Sequence, residues 1–403
     1  MKILLITQYF FPENFKSNDI AFELVKKGYE VDALVGMPNY PVGKYFSGYG
    51  IFKKRKEMLN GVHVYRSFQL PRGNGKLRLF LNYFSFVLST CFNVMVFFVF
   101  RKYDCIIVHA PSPIFQAIPA ILLKKLRKIP IYLWVLDIWP DAMKSGGGVK
   151  NSKLINFVDK IVAWIYRNCD KILISSKRFE EAILPKGDFA NKLIYFPNWS
   201  DDLLIDTVDC PIPNLPKGFL IMMAGNLGQS QDLNAVAEAM VILKHIDEVK
   251  WIFVGDGSCK RWLDNFIRDN ALEDIAVTLG RFPSEAMVSL YKRADAMLVT
   301  LRDGFPHLGM VVPARLQSYM SAGRPILAMI GNGGADIIRE AKCGYAVPAG
   351  DFHSLASIIK NKVLPMKDDF ESMGHNGRIY FEKEYTKEKC MEHLSLIISK
   401  GKM

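Results

Sequence analysis

Residues 303–325 read DGFPHLGMVVPARLQSYMSAGRP, a glycine-punctuated loop running into a short helix. Apolar runs at 296–301 and 325–330 bracket it, with the length and composition of buried parallel strands. A loop and helix start at the carboxyl end of such a strand leave backbone N–H groups free and point the positive end of a helix dipole outward. Open α/β sheets bind phosphorylated ligands at such places. The stretch is therefore the candidate donor site, with Leu308, Gly309 and Met310 in its loop.

The surroundings repeat the pattern. Apolar runs at 219–224, 249–254 and 276–279 lead up to the stretch, and an earlier series lies at 2–7, 31–35, 104–108, 131–136, 171–175 and 193–196. Between the two series the chain loses its periodicity, with prolines at 197, 211, 213 and 216. The expected fold class is α/β, two Rossmann-like doubly wound domains facing a central cleft. The expected boundaries are 1–200, a linker at 201–217, a second domain at 218–385 and a terminal helical segment at 386–403.

Composition narrows the function. A chain of 403 residues with 50% hydrophobic composition can bury two cores. A net charge of +12 and a pI near 9.2 imply an acidic partner: nucleic acid, anionic lipid or a phosphorylated substrate. The basic residues are dispersed and no nucleic-acid motif is present, which argues against nucleic acid. Seven scattered cysteines without a CxxC pair indicate free thiols rather than a disulfide framework or a zinc site. The start, MKILLITQYF, reads as a strand rather than a signal peptide, and a cytoplasmic location is expected.

The strand-to-helix turns carry the polar candidates. The first, QYFFPENFKSND, contains no glycine, which excludes the GxGxxG turn of a nicotinamide-dinucleotide domain. Lys16, Ser17 and Asn18 in it either cap a helix or face an acceptor. Residues 36–50 hold four glycines, two prolines and four aromatics. This long loop containing Asn39 and Tyr40 is either a surface excursion or an acceptor-side lid. His109 in HAPSP and Asp137 in DIWPD stand at strand carboxyl ends, as helix caps or as functional groups, with burial expected to raise the Asp137 pKa. Gly146, Gly147 and Gly148 flank the acceptor or form a hinge. In the second half, Asn226, Gly228, Gln229 and Gln231 of GNLGQSQ have the makings of a diphosphate cradle, and Gly255 and Asp256 of VGDGS could meet a nucleobase edge.

Residues 79–100 are the most apolar segment, uncharged over about a membrane-spanning length and flanked by Arg72, Lys76, Arg78, Arg101 and Lys102. A true span would tear residues 1–70 away from the strand at 104–108. A core helix whose exposed face docks on an anionic membrane is the expectation.

Taken together, the PEN turn, PNYP, HAPSP, DIWPD, GNLGQSQ, VGDG and VPARLQSYMSAGRPIL resemble the retaining family-4 glycosyltransferases of the GT-B fold. The nearest branch is that of the WbuB-like and CapL-like N-acetylfucosaminyltransferases of O-antigen and capsule synthesis. The resemblance covers nearly the whole chain. It implies a UDP-sugar held by the second half, an acceptor held by the first, and a last helix crossing back to the first domain. The chain departs from the family pattern in two places. Met310 and Ser318 occupy the positions of two glutamates, so the ribose contact would fall to Ser318 or Gln317. Asn226, Gln229 and Gln231 stand where an arginine and a lysine usually bind the diphosphate, leaving Arg315, Arg302 or Arg281 to supply charge. No DxD tract is placed to bind a metal, since Asp201 and Asp202 lie in the linker, and no metal or other cofactor is expected. The basic, apolar flank suits an acceptor sugar on a membrane-embedded polyprenyl diphosphate, at the cytoplasmic face of a bacterial inner membrane. A nucleotide-sugar 2-epimerase-like enzyme and a non-catalytic glycosyltransferase-like scaffold are the alternatives.

Overall fold

The computed structural model describes residues 1–73, 75–145, 148–149, 151–203 and 210–401. Of the triglycine, Gly146 and Gly147 lie outside the described residues, as do residues 204–209 of the expected linker. The chain divides into two units. One comprises Met1–Phe196 together with the segment from Met391 onward, the other Pro197–Cys390.

The first unit is built on eight strands: β1 (Lys2–Thr7), β2 (Glu30–Val35), β3 (Lys56–Leu59), β4 (Val62–Arg66), β5 (Cys105–Ala110), β6 (Ile131–Val135), β7 (Lys171–Ile174) and β8 (Leu193–Tyr195). Their order is β3-β4-β2-β1-β5-β6-β7-β8, parallel throughout except that β3 runs antiparallel to β4. The central β1 and β5 are buried almost end to end, as the unbroken apolar runs require when both faces of a sheet are covered. The order reverses between β1 and β5, so the turns after these two strands open at a topological switch point.

The second unit has six parallel strands: β9 (Phe219–Ala224), β10 (Val249–Val254), β11 (Ala276–Gly280), β12 (Ala296–Thr300), β13 (Ile326–Met329) and β14 (Gly344–Val347), in the order β11-β10-β9-β12-β13-β14. Alternation decides the two cores: Phe219, Ile221 and Met223 of β9 enter one, Leu220, Met222 and Ala224 the other. Here the switch point lies between β9 and β12. The turn at 225–231 and the stretch at 303–325 follow these two strands, so the topology places both at this edge.

The apolar segment of the first unit departs from expectation. It forms the helix Lys76–Asn93, which continues as a π-helical turn over Val94–Phe98. It is long and apolar enough to cross a membrane, yet only 22% of its most apolar 18-residue window is buried, so it is not a core helix. Leu77, Phe80, Phe84, Leu88, Phe92 and Met95, spaced by three or four, lie exposed along its outer face. Its inner face buries Phe86, Val94 and Phe98 beside a row of bonded polar groups: Asn82 Oδ1 accepts from Gln8 Nε2 at 2.8 Å, and Asn82 Nδ2 donates to the Leu70 carbonyl at 2.6 Å. Ser85 Oγ accepts from Leu70 N at 2.9 Å, Ser89 Oγ donates to the Phe68 carbonyl, and Asn93 Nδ2 donates to Ser67 Oγ at 2.9 Å. The far end is pinned by Arg101, whose Nη1 lies 3.0 Å from Asp32 Oδ2 and whose guanidinium covers the Tyr65 ring at 4.3 Å. Arg101 is thus an internal ion-pair partner, not the free flanking cation expected.

Candidate functional site

At the switch point of the second unit, the site is assembled from glycine turns and one arginine. Gly225, the first residue after β9, has φ +114°, and a Cβ there would stand 3.4 Å from Arg315 Nη2. Gly255, after β10, has φ +132°, and its Cβ would fall 1.9 Å from the Gly225 carbonyl. Only glycine lets these two turns abut. Leu227 N then donates to the Asp256 carbonyl at 2.9 Å, joining the GNLGQSQ and VGDG segments that the sequence marked separately.

Arg315 comes from the helix Ala314–Ser321. One turn further along, the Tyr319 hydroxyl accepts from Ala224 N at 2.9 Å and faces the Ala224 carbonyl at 3.1 Å, tying this helix to the last residue of β9. Side chains four apart share a helix face, so Arg315 is carried to the turn beyond β9, where Nη2 donates to the Asn226 carbonyl at 3.0 Å. Nη1 is buried and has no hydrogen-bond partner among the described residues. A buried, unpaired guanidinium nitrogen is a costly arrangement unless an anion completes it.

The other predicted residues of this unit divide. Leu308, Gly309 and Met310 form a single helical turn, Pro306–Met310, lying against the start of the helix Asn332–Ala341. A Cβ on Gly331 would sit 2.3 Å from Gly309 Cα, and one on Gly333 would sit 2.2 Å from the Met310 carbonyl. Gln229 is exposed, Gly228 is buried, and the Gln231 carbonyl accepts from the Thr300 hydroxyl. Asp256 and Arg281 are exposed together and ion-paired at 3.2 Å. Arg302 lies over the Phe305 ring at 6.0 Å. Gln317 corrects the expected ribose contact. It is buried, and with its amide oriented to suit its neighbours it donates to the Pro313 and Ala314 carbonyls at 2.9 and 3.1 Å. Ser318 shares a 2.9 Å hydrogen bond with Ser200. Asp202 is held by Arg378 through two contacts of 2.6 Å. Among the described residues no group of three His, Cys, Asp or Glu is arranged to hold a metal ion.

The corresponding edge of the first unit gathers aromatics and carboxylates. Asp137, two residues beyond β6, accepts from Ile138 N and the Ser112 hydroxyl, yet burial dominates and pushes its pKa up to about 7. Trp139 Nε1 donates to the same Ser112 Oγ at 3.2 Å. His109 on β5 is fully buried, 3.4 Å by Nδ1 from Thr7 Oγ1, and desolvation lowers its pKa to about 3. It is a neutral group in the sheet, so the catalytic reading of His109 loses its proton chemistry. Lys16 pairs with Asp19 at 3.7 Å. Ser17 and Asn18 turn inward: Ser17 Oγ donates to the Tyr9 carbonyl at 2.7 Å, and Asn18 accepts from Phe11 N and donates to the Glu13 carbonyl, both at 2.8 Å. Neither residue caps the helix, whose N-cap is Phe15 without a side-chain hydrogen bond; both are spent on the backbone of the preceding turn. Asn39 is buried, with Oδ1 accepting from Arg72 N at 2.9 Å, whereas the Tyr40 ring remains 38% exposed.

Two residues escaped the sequence reading. Glu13 is buried beneath this edge, and Tyr83, from the inner side of the apolar helix, is hydrogen-bonded to Tyr9 and lies within electrostatic range of Asp137 and Arg72. For Glu13 the signal was a glutamate in an otherwise aromatic turn.

Asp137 makes a measurable statement about stability. Its folded pKa lies above the ordinary carboxylate value, so between about pH 4 and 7 the folded chain holds this proton more tightly than the unfolded chain. The contribution is present in acid and lost as pH rises through about 7. Asp137→Asn is expected to raise Tm by about 2–4 °C at pH 8 and to leave it unchanged near pH 4, as followed by thermal unfolding at the two pH values.

Comparison with known proteins now bears on these edges. Residues 211–379 match the family model of glycosyl transferases group 1. Over 298 residues the chain is 26% identical to a probable glycosyltransferase, WbjE of Pseudomonas aeruginosa, spanning 70% of this chain and 72% of that one. Over 346 residues it is 26% identical to the putative colanic acid biosynthesis glycosyl transferase WcaI of Escherichia coli, spanning 80% and 82%. Among solved structures, sucrose-phosphate synthase of Thermosynechococcus elongatus superimposes with a TM-score of 0.75 at 15% identity, covering 99% of this chain and 98% of that one. Anabaena HepE in complex with UDP gives 0.70 at 16%, covering 99% and 100%. At such identities the structures speak to fold alone. The chain accordingly has the GT-B fold of two Rossmann-like α/β domains, and its residues 211–379 are similar to the glycosyl transferases group 1.

Proposed function

We propose that this chain moves a sugar, with retention, from a UDP-sugar to a saccharide carried on a polyprenyl diphosphate, in synthesis of a bacterial surface polysaccharide such as capsule or O-antigen. The observation that carries the reading is the Arg315 guanidinium at the β9 turn, whose Nη1 is buried without a hydrogen-bond partner among the described residues. Support for the nucleotide comes from HepE, solved with UDP, with UDP and glucose, and with UDP-glucose. Support for the pathway comes from WcaI, named for colanic acid biosynthesis. An N-acetylated or 6-deoxy donor sugar follows the resemblance to N-acetylfucosaminyltransferases.

Glycosyl transfer develops positive charge at the sugar and negative charge on the departing diphosphate, so the chief demand is electrostatic. Arg315, the side chains of Asn226, Gln229 and Gln231, and the backbone N–H of Gly228 meet the diphosphate, with the Gly309-Met310 backbone beside it; the Leu308 N–H is already donated to the Phe305 carbonyl at 2.9 Å. Gly255, Asp256, Arg281 and Ser318 face the nucleoside. In the family this chain resembles, retention needs no dedicated enzymic nucleophile, so Asp137 orients the acceptor or donor sugar, and Tyr40 and Lys16 line the acceptor side. A peripheral position at the cytoplasmic face of the inner membrane is part of this reading, and the outward apolar stripe of Lys76–Phe98, with Arg72, Lys76, Arg78 and Lys102 near its ends, supports it.

The test is UDP release from a panel of UDP-sugars with and without a polyprenyl-diphosphate-linked sugar. Acceptor-dependent release, unchanged in EDTA, is expected. Loss in EDTA restored by manganese refutes metal independence. Conversion of the donor without acceptor points to the epimerase, and UDP binding without turnover to the scaffold.

A further inference from the structure

The Glu13 side chain is only 3% exposed, and both carboxylate oxygens are spent on backbone N–H groups from two different turns. Oε1 accepts from Asn39 N at 2.7 Å and Tyr40 N at 2.6 Å, and Oε2 accepts from Phe10 N at 3.3 Å. A carboxylate is the one side chain that offers acceptors on both oxygens and no donor, so it alone satisfies all three. Asn18 closes the same turn from the other side through Phe11 N and the Glu13 carbonyl. What the clamp holds in place is an aromatic surface. The Tyr40 ring lies edge-on to Tyr9 at 5.8 Å and tilted against Phe15 at 5.5 Å, Tyr9 and Phe15 stack at 4.6 Å, and the Arg72 guanidinium covers Tyr40 at 5.2 Å. Tyr40 is the most exposed of these three rings.

We propose that the Glu13 carboxylate is a positioning residue for the acceptor: it fixes the Asn39-Tyr40 turn to the turn after β1 and so holds the Tyr40 ring, flanked by Tyr9, Phe15 and Arg72, as a stacking platform for the acceptor's saccharide. The proposal rests on the reading of this edge as the acceptor side. Sugar rings present faces of C–H groups that pack on aromatic rings, and a platform tied by its own backbone N–H binds without first being ordered. The charged and titratable groups facing Glu13 are Arg66 from β4, itself paired with Glu57, and the neutral phenol of Tyr9 from its own turn. Burial raises the Glu13 pKa to about 7. Below that pH one oxygen becomes a donor opposed to an N–H, and the clamp weakens.

Glu13→Gln keeps the shape and places an NH₂ among the same three N–H groups. Its acceptor KM is expected to rise about tenfold with the donor KM unchanged within about twofold. In the wild type the acceptor KM should climb as pH falls through about 7, and this climb should vanish in Glu13→Gln. Asp137 titrates in the same range but is present in both proteins, so loss of the climb in Glu13→Gln assigns it to Glu13. Tyr40→Ala keeps the N–H that Glu13 binds and should reproduce the acceptor KM defect with the fold intact. Should Glu13→Gln fail to fold, Tyr40→Ala and the wild-type pH profile decide. The proposal is overturned by acceptor KM values within twofold of wild type in both variants, by a donor KM that rises in step, or by a wild-type acceptor KM flat across pH 6–8. A wild type that releases no UDP with any acceptor overturns the glycosyl-transfer reading itself, and this proposal with it.

Discussion

Arg315→Ala is expected to lower kcat/KM by about 10²–10³-fold, the loss that follows when a preorganised charge facing a developing negative charge is removed. The geometry makes this more than a surface charge. One guanidinium nitrogen anchors the Asn226 carbonyl and the other is buried without a partner among the described residues. Alanine therefore removes both the charge and the strut beneath the turn. Arg315→Lys separates the two, since an ammonium restores charge but not the forked geometry, and it should recover only part of the activity. The ligand can be divided as well: the variant should bind UDP more weakly than wild type while its affinity for uridine is unaltered, measured by calorimetry. Gln317→Ala should cost no more than a few-fold, because its amide is turned onto its own helix. Similar small losses from both substitutions would sink the assignment of Arg315.

The second large effect concerns the apolar helix. Phe80→Glu together with Phe84→Glu should abolish sedimentation with vesicles containing anionic lipid while leaving Tm unaltered. Each phenylalanine contributes about 1.5–3 kcal/mol when its ring leaves water, so losing both weakens partitioning by about 100-fold or more, before the added repulsion is counted. Both rings are at least 49% exposed in the fold, and they stack on each other at 5.7 Å, so the protein interior does not need them. Salt should release the wild type in part by screening Lys76, Arg78 and Lys102. A wild type that stays fully soluble with such vesicles at low salt would refute the docking surface.

How far the sequence carried varied with the kind of signal. Apolar runs marked β1, β5, β6, β9, β10 and β12, because strands covered on both faces are mostly apolar, with Lys250 in β10 and His109 in β5 among the polar exceptions. The β3–β4 hairpin has no such run. Its strands alternate and are half exposed, and its signal was Asn60-Gly61, whose φ values of 48° and 82° suit a tight hairpin turn. Glycines in the GNLGQSQ and VGDG turns were legible as anion-site chemistry, but not as partners, since nothing local says that Gly255 must admit the Gly225 carbonyl. Arg315 was reached from a missing charge. The residue that places it, Tyr319, makes its bonds across 95 residues of chain, beyond the reach of any periodicity. Gln317 and Asn18 look alike in sequence to residues that meet ligands, and only the direction of each side chain shows that their hydrogen bonds are already spent. The helix at 79–100 was recognised as apolar, but the inward direction of Asn82, Ser85, Ser89 and Asn93 needed the fold.

The paired contacts between the Tyr319 hydroxyl and Ala224 have a thermodynamic meaning. They bind the helix that carries Arg315 to the end of the strand that carries the glycine turn, so cation and turn move as one rigid body. A nucleotide arriving at this edge meets a site whose conformational entropy was surrendered when the chain folded, and little ordering of this edge is left to oppose its capture.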